Sequence, residues 1–361
     1  MTKPSQPDAS LRQALEAVPR FSLAHLPTPL HDLPRLSAML GGGHRVLTKR
    51  DDLTGLGMGG NKIRMLEYVL AAVSDRGYDA VLAGAEFPSN YCHQMAVSCA
   101  KVGLRCHLVL ARPDGRVEGS DRATAIPLVP RLAASVDVVE PGWQAVVAGM
   151  ERAAITLAAE GSRVFEATRP HASGISITDV SRYALGYAAM LVELQDQCSR
   201  FDIVPDELWI SSGGPTQAGL VVARAATRLP LRIVGVGSGA VEGHETDARA
   251  NIAAIANGAA QILGLDLEFD PKDIVNIDGD VVGRYGKPTY GAIEAIRAAA
   301  TLEGLLVDPD YTGKALAALI AHLHAELRPK TVIFVHTGGL PSLFSFAHEF
   351  ADSAFCIPGS V

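Results

Sequence analysis

The sequence predicts an α/β protein whose parallel sheets form two lobes around a cleft, and three observations predict it. From Arg45 onward, short β-rich runs are followed by a glycine or turn segment and then by a helix with apolar residues at 3.6 spacing. That order is what a parallel sheet with crossover helices imposes. The chain has 361 residues, 48% of them hydrophobic, which is long for one domain and sufficient for substantial cores. Finally, the polar or glycine-rich turns fall at the C-terminal ends of the β-rich runs, the edge of an open α/β sheet at which ligands bind.

In chain order, Met1 to Pro19 is a polar leader without the apolar core of a signal peptide. Pro27-Thr28-Pro29-Leu30 opens the compact fold in extended form, because a residue preceding proline is pushed out of the helical region. The clearest strand and helix units are Asp79 to Ala83 feeding a helix near Tyr91 to Val102, Glu207 to Ile210 feeding Gln217 to Leu229, and Thr331 to Val335 feeding the segment after Leu340. Residues 63–181, with their own alternation and a Pro113-Asp114-Gly115 turn, are expected to form a small lobe, and residues 1–62 with 182–361 the large one. Such lobes enclose a cleft. Later apolar runs are broken by Gly, Pro or charge before membrane-spanning length, so no membrane partner is expected.

The net charge of −7, without a sustained Lys/Arg cluster, argues against a nucleic-acid partner and for small-molecule chemistry. Five cysteines (Cys92, Cys99, Cys106, Cys198, Cys356) form no Cys-x-x-Cys pair and read as free thiols of a reducing compartment, the cytoplasm. Cys92 and Cys99 read as core packing, and the eleven histidines lack metal-ligand spacing, so no metal site is expected. Asp51, Asp52 and Asp308 read as turn or ion-pair residues, and His336 as holding its own turn.

Four segments carry chemistry. In Gly59-Gly60-Asn61-Lys62, Asn61 is expected to cap the following helix, placing Lys62 in its first turn, where the macrodipole disfavours a cation. Burial and that dipole lower an amine's pKa, as condensation with an aldehyde requires. Ser211 to Leu220 lies between a strand and a helix. Its Gly213, Gly214 and Thr216 offer an anion close backbone approach, free N–H groups and a hydroxyl, a phosphate cup that is neither a Walker A loop nor a dinucleotide fingerprint. Gly235 to Ala240 formally matches a dinucleotide pattern but runs into the charged stretch Glu242 to Asp247. Pro88-Ser89-Asn90-Tyr91 sets hydroxyl and amide groups at a helix start, suited to a carboxylate or a phenolic oxygen or simply to capping. The turns Asp308 to Gly313 and Val335 to Pro341 likewise hold hydroxyls near helix starts.

Together these segments resemble the fold-type II pyridoxal-phosphate (PLP) family of D-cysteine desulfhydrase, 1-aminocyclopropane-1-carboxylate (ACC) deaminase and L-cysteate sulfo-lyase. The resemblance runs through Pro27 to Leu30, Lys49 to Leu53, Gly59 to Glu67, Ser89-Asn90, Thr216 to Gly219, Tyr285-Gly286 with Pro288, Asp308 to Lys314 and His336 to Pro341. It implies a two-domain, tryptophan synthase β-like fold and a homodimer. Lys62 would hold the cofactor as a Schiff base, Asn90 its O3′, and Gly213, Gly214, Pro215 and Thr216 its phosphate. Ser89 would lie beside the substrate with Asn90 and Tyr91, Tyr285 and Tyr311 would flank the ring and substrate, and Thr312 and Thr337 would lie near the pyridine side.

The deaminase branch has Glu where this chain has Thr312 and Leu where it has Thr337, and the hydroxyls side with the desulfhydrases. A carboxylate at the pyridine nitrogen favours its protonated, strongly electron-withdrawing form, which opening a cyclopropane needs more than expelling a β-thiolate. The chain departs from the pattern at Pro88, Tyr91 and His93, at Met65 where the family has Lys, and at Pro215, which removes one N–H donor. The implied reaction is α,β-elimination, with Lys62 as base at Cα and pyruvate, ammonia and sulfide as products from D-cysteine. L-cysteate or another β-substituted alanine, β-replacement, ACC deamination and a non-catalytic PLP carrier are the alternatives.

Overall fold

A computed structural model describes residues 9–87, 89–112, 130–167, 176–239, 247–279, 282–346 and 350. The Pro113 to Gly115 turn, Pro88, Cys356 and most of Glu242 to Asp247 lie outside the described residues. The described residues form ten strands: β1 (Leu30–Asp32), β2 (Arg45–Lys49), β3 (Ala80–Glu86), β4 (Arg105–Ala111), β5 (Ser135–Val139), β6 (Val164–Glu166), β7 (Glu207–Ser211), β8 (Arg232–Val236), β9 (Asn276–Ile277) and β10 (Thr331–Val335). They make a six-stranded sheet in the order β1-β2-β10-β7-β8-β9 and a four-stranded one in the order β5-β4-β3-β6. All pairs are parallel except β1 with β2. The expected α/β class with parallel sheets is what the chain adopts.

The central strands are covered on both faces, which is why they read as continuous apolar runs. Alternation still sorts their side chains. Ile333, Val335, Leu208 and Ile210 enter one core, which also takes Val81, Ala83, Leu108 and Leu110 of the smaller sheet. Val332, Phe334, Trp209 and Val234 enter a second core on the opposite face. The first core therefore joins the two sheets.

Boundaries differ from the sequence reading where local chemistry differs. The helix after β3 begins at Asn90 because the Ser89 hydroxyl accepts the Cys92 N–H at 3.2 Å as its cap. The helix after β7 begins at Pro215, a residue suited to a first helical position, and ends at Ala226, ahead of Arg228 at φ 51°.

The helix Ile177–Arg200 crosses both helices that lead from the site, Lys62–Asp75 and Pro215–Ala226. The contacts are backbone to backbone. A Cβ on Gly219 would stand 2.0 Å from the Ala184 carbonyl oxygen, and one on Gly186 would stand 2.6 Å from that of Arg64. An ionic network locks the same junction. Arg64 donates to Asp51 at 3.0 Å and to Glu193 at 2.9 Å, Lys49 donates to Glu193, to Gln197 and to the Thr28 carbonyl, and the Tyr187 hydroxyl donates to Asp51 at 2.8 Å. Burial would raise the Asp51 pKa, but the Arg64 and Lys49 charges outweigh it and hold the carboxyl below its ordinary range. Asp51 is thus an ion-pair residue, as is Asp52 through Arg50 at 2.6 Å. Cys92 and Cys99 are buried in the first core. Among the described residues, no helix is long and apolar enough to cross a membrane, and no group of His, Cys, Asp and Glu is placed to hold a metal.

Candidate active site

Lys62 opens its helix at the C-terminal edge of the larger sheet. Asn61 does not cap that helix as expected. It is itself helical in φ and ψ, makes no cap bond, and its Nδ2 lies 3.4 Å from the Thr216 hydroxyl of the next motif. Its Oδ1 is buried without a partner among the described residues, an orphaned acceptor of the kind that marks a ligand site.

Lys62 and the Gly213 to Thr216 turn line one cavity of about 410 Å³, within the size range of small-molecule sites. In the turn, the Gly214 and Gln217 N–H groups donate to the Ser212 hydroxyl at 3.2 and 3.0 Å, and the Gly213 carbonyl accepts from Asn251 at 3.1 Å. This leaves the Gly213 and Thr216 N–H groups, the Thr216 hydroxyl and the dipole of a 12-residue helix for an anion. Nothing lies within 4 Å of where a Gly213 Cβ would be, so the cup has open space above it.

The Lys62 amine makes no hydrogen bond or ion pair among the described residues and sits 5.4 Å from the Tyr311 ring centre. Burial strips water from it, and that loss of hydration lowers its pKa to about 8, with the Asp308 carboxylate offsetting part of the shift. The Tyr311 hydroxyl lies 2.7 Å from that of Tyr285, their rings 5.8 Å apart and edge to face. Burial raises both phenols, so each stays protonated at neutral pH.

Of the residues singled out from sequence, Lys62, Tyr91, Gly213, Gly214, Pro215, Thr216 and Tyr311 line the cavity. The others do not line it. Tyr285 bonds Tyr311. Ser89 caps its helix, and the Asn90 amide lies 3.4 Å from the Ser342 hydroxyl. The Thr337 carbonyl accepts the Asn61 N–H at 2.9 Å. The Thr312 hydroxyl is bonded within its own turn to Asp308, whose carboxylate also accepts the N–H groups of Asp310, Tyr311 and Thr312. Asp308 is therefore a turn residue, and His336 holds its turn through Nδ1 to the Gly338 N–H and Nε2 to the Leu306 carbonyl.

His93, one of the departures from the family pattern, points its Nε2 at the Gly57 carbonyl, 2.6 Å away, and does not line the cavity. Sequence reading missed Tyr183, Val180 and Asn251 as lining residues. They lie on the helices Ile177–Arg200 and Ala248–Ile262, and nothing local marks which side chain faces a site assembled from distant segments.

The profile of the family described as "Pyridoxal-phosphate dependent enzyme" matches residues 21–338. The 1-aminocyclopropane-1-carboxylate deaminase of Variovorax paradoxus is 33% identical over 351 residues, 94% of this chain and 99% of that protein. The D-cysteine desulfhydrase of Klebsiella pneumoniae is 32% identical over 338 residues, 92% of this chain and 98% of that one. Among solved structures, an ACC deaminase homologue superposes with a TM-score of 0.81 at 28% identity, covering 95% of this chain and 98% of the other.

Proposed function

The chain belongs to the pyridoxal-phosphate dependent enzymes, with the fold-type II architecture of that family, and from that premise we propose that it catalyses α,β-elimination on a small β-substituted amino acid. A D-cysteine desulfhydrase-like reaction would give pyruvate, ammonia and sulfide. The chain is an enzyme of the lyase or deaminase type that uses pyridoxal phosphate, so the carrier reading falls away. The observation that carries the elimination reading is the pair of hydroxyl residues Thr312 and Thr337, neither of which supplies a carboxylate. The likeness to proteins named ACC deaminase, at 33% identity against 32% for the desulfhydrase, supports deamination as a second reading.

The residues fit the cofactor. The cup would hold its phosphate, the orphaned Asn61 amide would find a partner, Asn90 would meet its O3′ and Lys62 would bond its aldehyde carbon. When bound, the cofactor supplies an electron sink for the bond broken at the substrate Cα. Lys62, with its pKa drawn to about 8, is suited to take and return a proton there near neutral pH. The substrate carboxylate would meet N–H groups at the start of the 13-residue Asn90–Val102 helix, beside Ser89. Tyr285 and Tyr311, protonated and hydrogen-bonded, would deliver a proton to the leaving group. A cytoplasmic homodimer is the form we propose, and sedimentation of the holoenzyme checks the dimer.

The test adds D-cysteine, L-cysteine, L-cysteate and ACC in turn to the PLP-loaded protein while keto acid is assayed. Pyruvate from a cysteine-type substrate, with 2-oxobutyrate from ACC at least 100-fold slower in kcat/KM, is the expected result. The opposite ranking would replace elimination with deamination.

A further inference from the structure

Met65, Tyr91, Val180 and Tyr183 line the cavity, and the proposed elimination gives none of them a role. They form one wall. Met65 lies one turn beyond Lys62 on the same helix, Tyr91 is in the first turn of the Asn90 helix, and Val180 and Tyr183 are three residues apart on one face of the Ile177–Arg200 helix. The wall thus comes from the helices nearest Lys62 and the Ser89-Asn90 turn, whereas the cup comes from the strand end of the larger sheet.

The polar atoms of the wall are already satisfied. The Tyr91 and Tyr183 hydroxyls lie 2.9 Å apart, with their rings 6.2 Å centre to centre. The Ala167 carbonyl accepts at 2.9 Å from Tyr91 and at 3.5 Å from Tyr183. Two hydroxyls have two protons: one goes to the carbonyl, the other bridges the two oxygens, and neither is left for a ligand. Burial keeps both phenols un-ionised. What faces the cavity is a thioether, an isopropyl group and two aromatic rings. An anionic group set against this surface would lose its hydration without gaining a donor, whereas apolar surface set there leaves water at a gain.

We infer that this wall receives the substrate's β-substituent and that the enzyme prefers amino acids whose β-substituent is uncharged and apolar, an S-alkyl or S-aryl cysteine, over cysteine and cysteate. The inference rests on the elimination reading for its chemistry. The Cα proton passes to Lys62, the Cβ–S bond breaks with its electron pair on sulfur, and the leaving thiolate takes a proton to become a free thiol. One water completes the conversion of the remaining fragment to pyruvate and ammonia.

The test measures pyruvate release by the holoenzyme from both enantiomers of S-methylcysteine, S-benzylcysteine, cysteine and cysteate, and measures binding of the same compounds through their perturbation of the cofactor's visible band. The expected result is at least a tenfold preference in kcat/KM for an S-benzyl compound over cysteine and at least a hundredfold preference over cysteate. Tyr183→Ala should collapse that ratio to within about threefold, and Tyr183→Arg should raise cysteate relative to S-benzylcysteine, a gain that misfolding cannot produce. Equal use of all substituents, or a preference for cysteate, would overturn the inference. Tight S-benzyl binding without pyruvate from any compound would uphold the wall and overturn elimination.

Discussion

Two lysines on opposite sides of the same junction show how one residue type becomes structural or chemical. Lys49 is wholly buried and surrounded by the Glu193 carboxylate, the Gln197 amide and the Thr28 carbonyl. Lys62, thirteen residues on, reaches a cavity and is bonded to nothing among the described residues. Loss of hydration lowers both pKa values. At Lys49 the neighbouring carboxylates work against the shift and every ammonium proton has an acceptor. At Lys62 only Asp308 opposes it, and the amine's lone pair stays accessible. Reactivity here comes from partners withheld, and rigidity from partners supplied.

Exchanging the two residues' fates gives the largest expected effect. Lys62→Ala should lower turnover by about 1,000-fold or more and abolish the covalent cofactor band, with the apo-protein's stability changed by no more than about 1 kcal/mol. Lys49→Ala should cost about 3–5 kcal/mol in urea unfolding, because it removes one of the two buried cations that balance Glu193 and Asp51 and leaves Arg64 alone against both carboxylates. A Lys49 variant that loses turnover at unchanged stability would break the comparison. Next in size, cofactor capture by the apo-protein, followed by stopped-flow absorbance, should rise about tenfold per pH unit up to about 8 and then level off. A rise continuing to the ordinary lysine range would show Lys62 to be freely hydrated.

Gly219→Ala should cost about 1–3 kcal/mol, since its Cβ would meet the Ala184 carbonyl oxygen. The measurement is the urea midpoint with and without PLP, and an unaffected PLP affinity would separate the helix contact from the cup. The smallest effect concerns acid. Burial raises the Asp310 carboxyl to about 6 despite its bond to Lys314 at 3.0 Å. Its protonation therefore favours the fold, a contribution complete below about 4 and lost as pH rises through 6. Asp51 and Glu193 are shifted the other way, so their contribution is present above the ordinary carboxylate range and lost on acidification. Comparing urea midpoints of Asp310→Asn and the native protein at pH 7.5, 5.5 and 3.5 should show Asp310→Asn lacking the native gain between 7.5 and 5.5 while both lose stability at 3.5.

The sequence reading succeeds where the cause is local. Thr331 to Val335 is a strand end to end because Val332 to Val335 is an unbroken apolar run, and the segment after Ser211 is a turn leading into a helix, as its glycines indicate, although the helix starts at Pro215 rather than Gln217. It fails where the cause is distant. The Lys49 to Glu193 pair is 144 residues apart, and Tyr91 finds Tyr183 92 residues away. Asn61 looks like a cap by residue type, yet Thr216, 155 residues on, claims its side chain. Lys62, Thr216 and Tyr311 could be named from motifs, whereas the wall facing them required three helices to be packed.

The Ile177–Arg200 helix has a consequence beyond stability. Because it meets the backbones of the Lys62 helix and the Pro215 helix without intervening side chains at Gly186 and Gly219, it acts as a caliper whose jaws are the amine and the cup. The opening is set when the chain folds, so a cofactor bridging the two, as proposed, would have no helices to draw together and would keep more of its contact energy as affinity. The same fixed opening is a length standard, against which an analogue with one extra bond between ring and phosphate would satisfy the cup or the lysine, but not both.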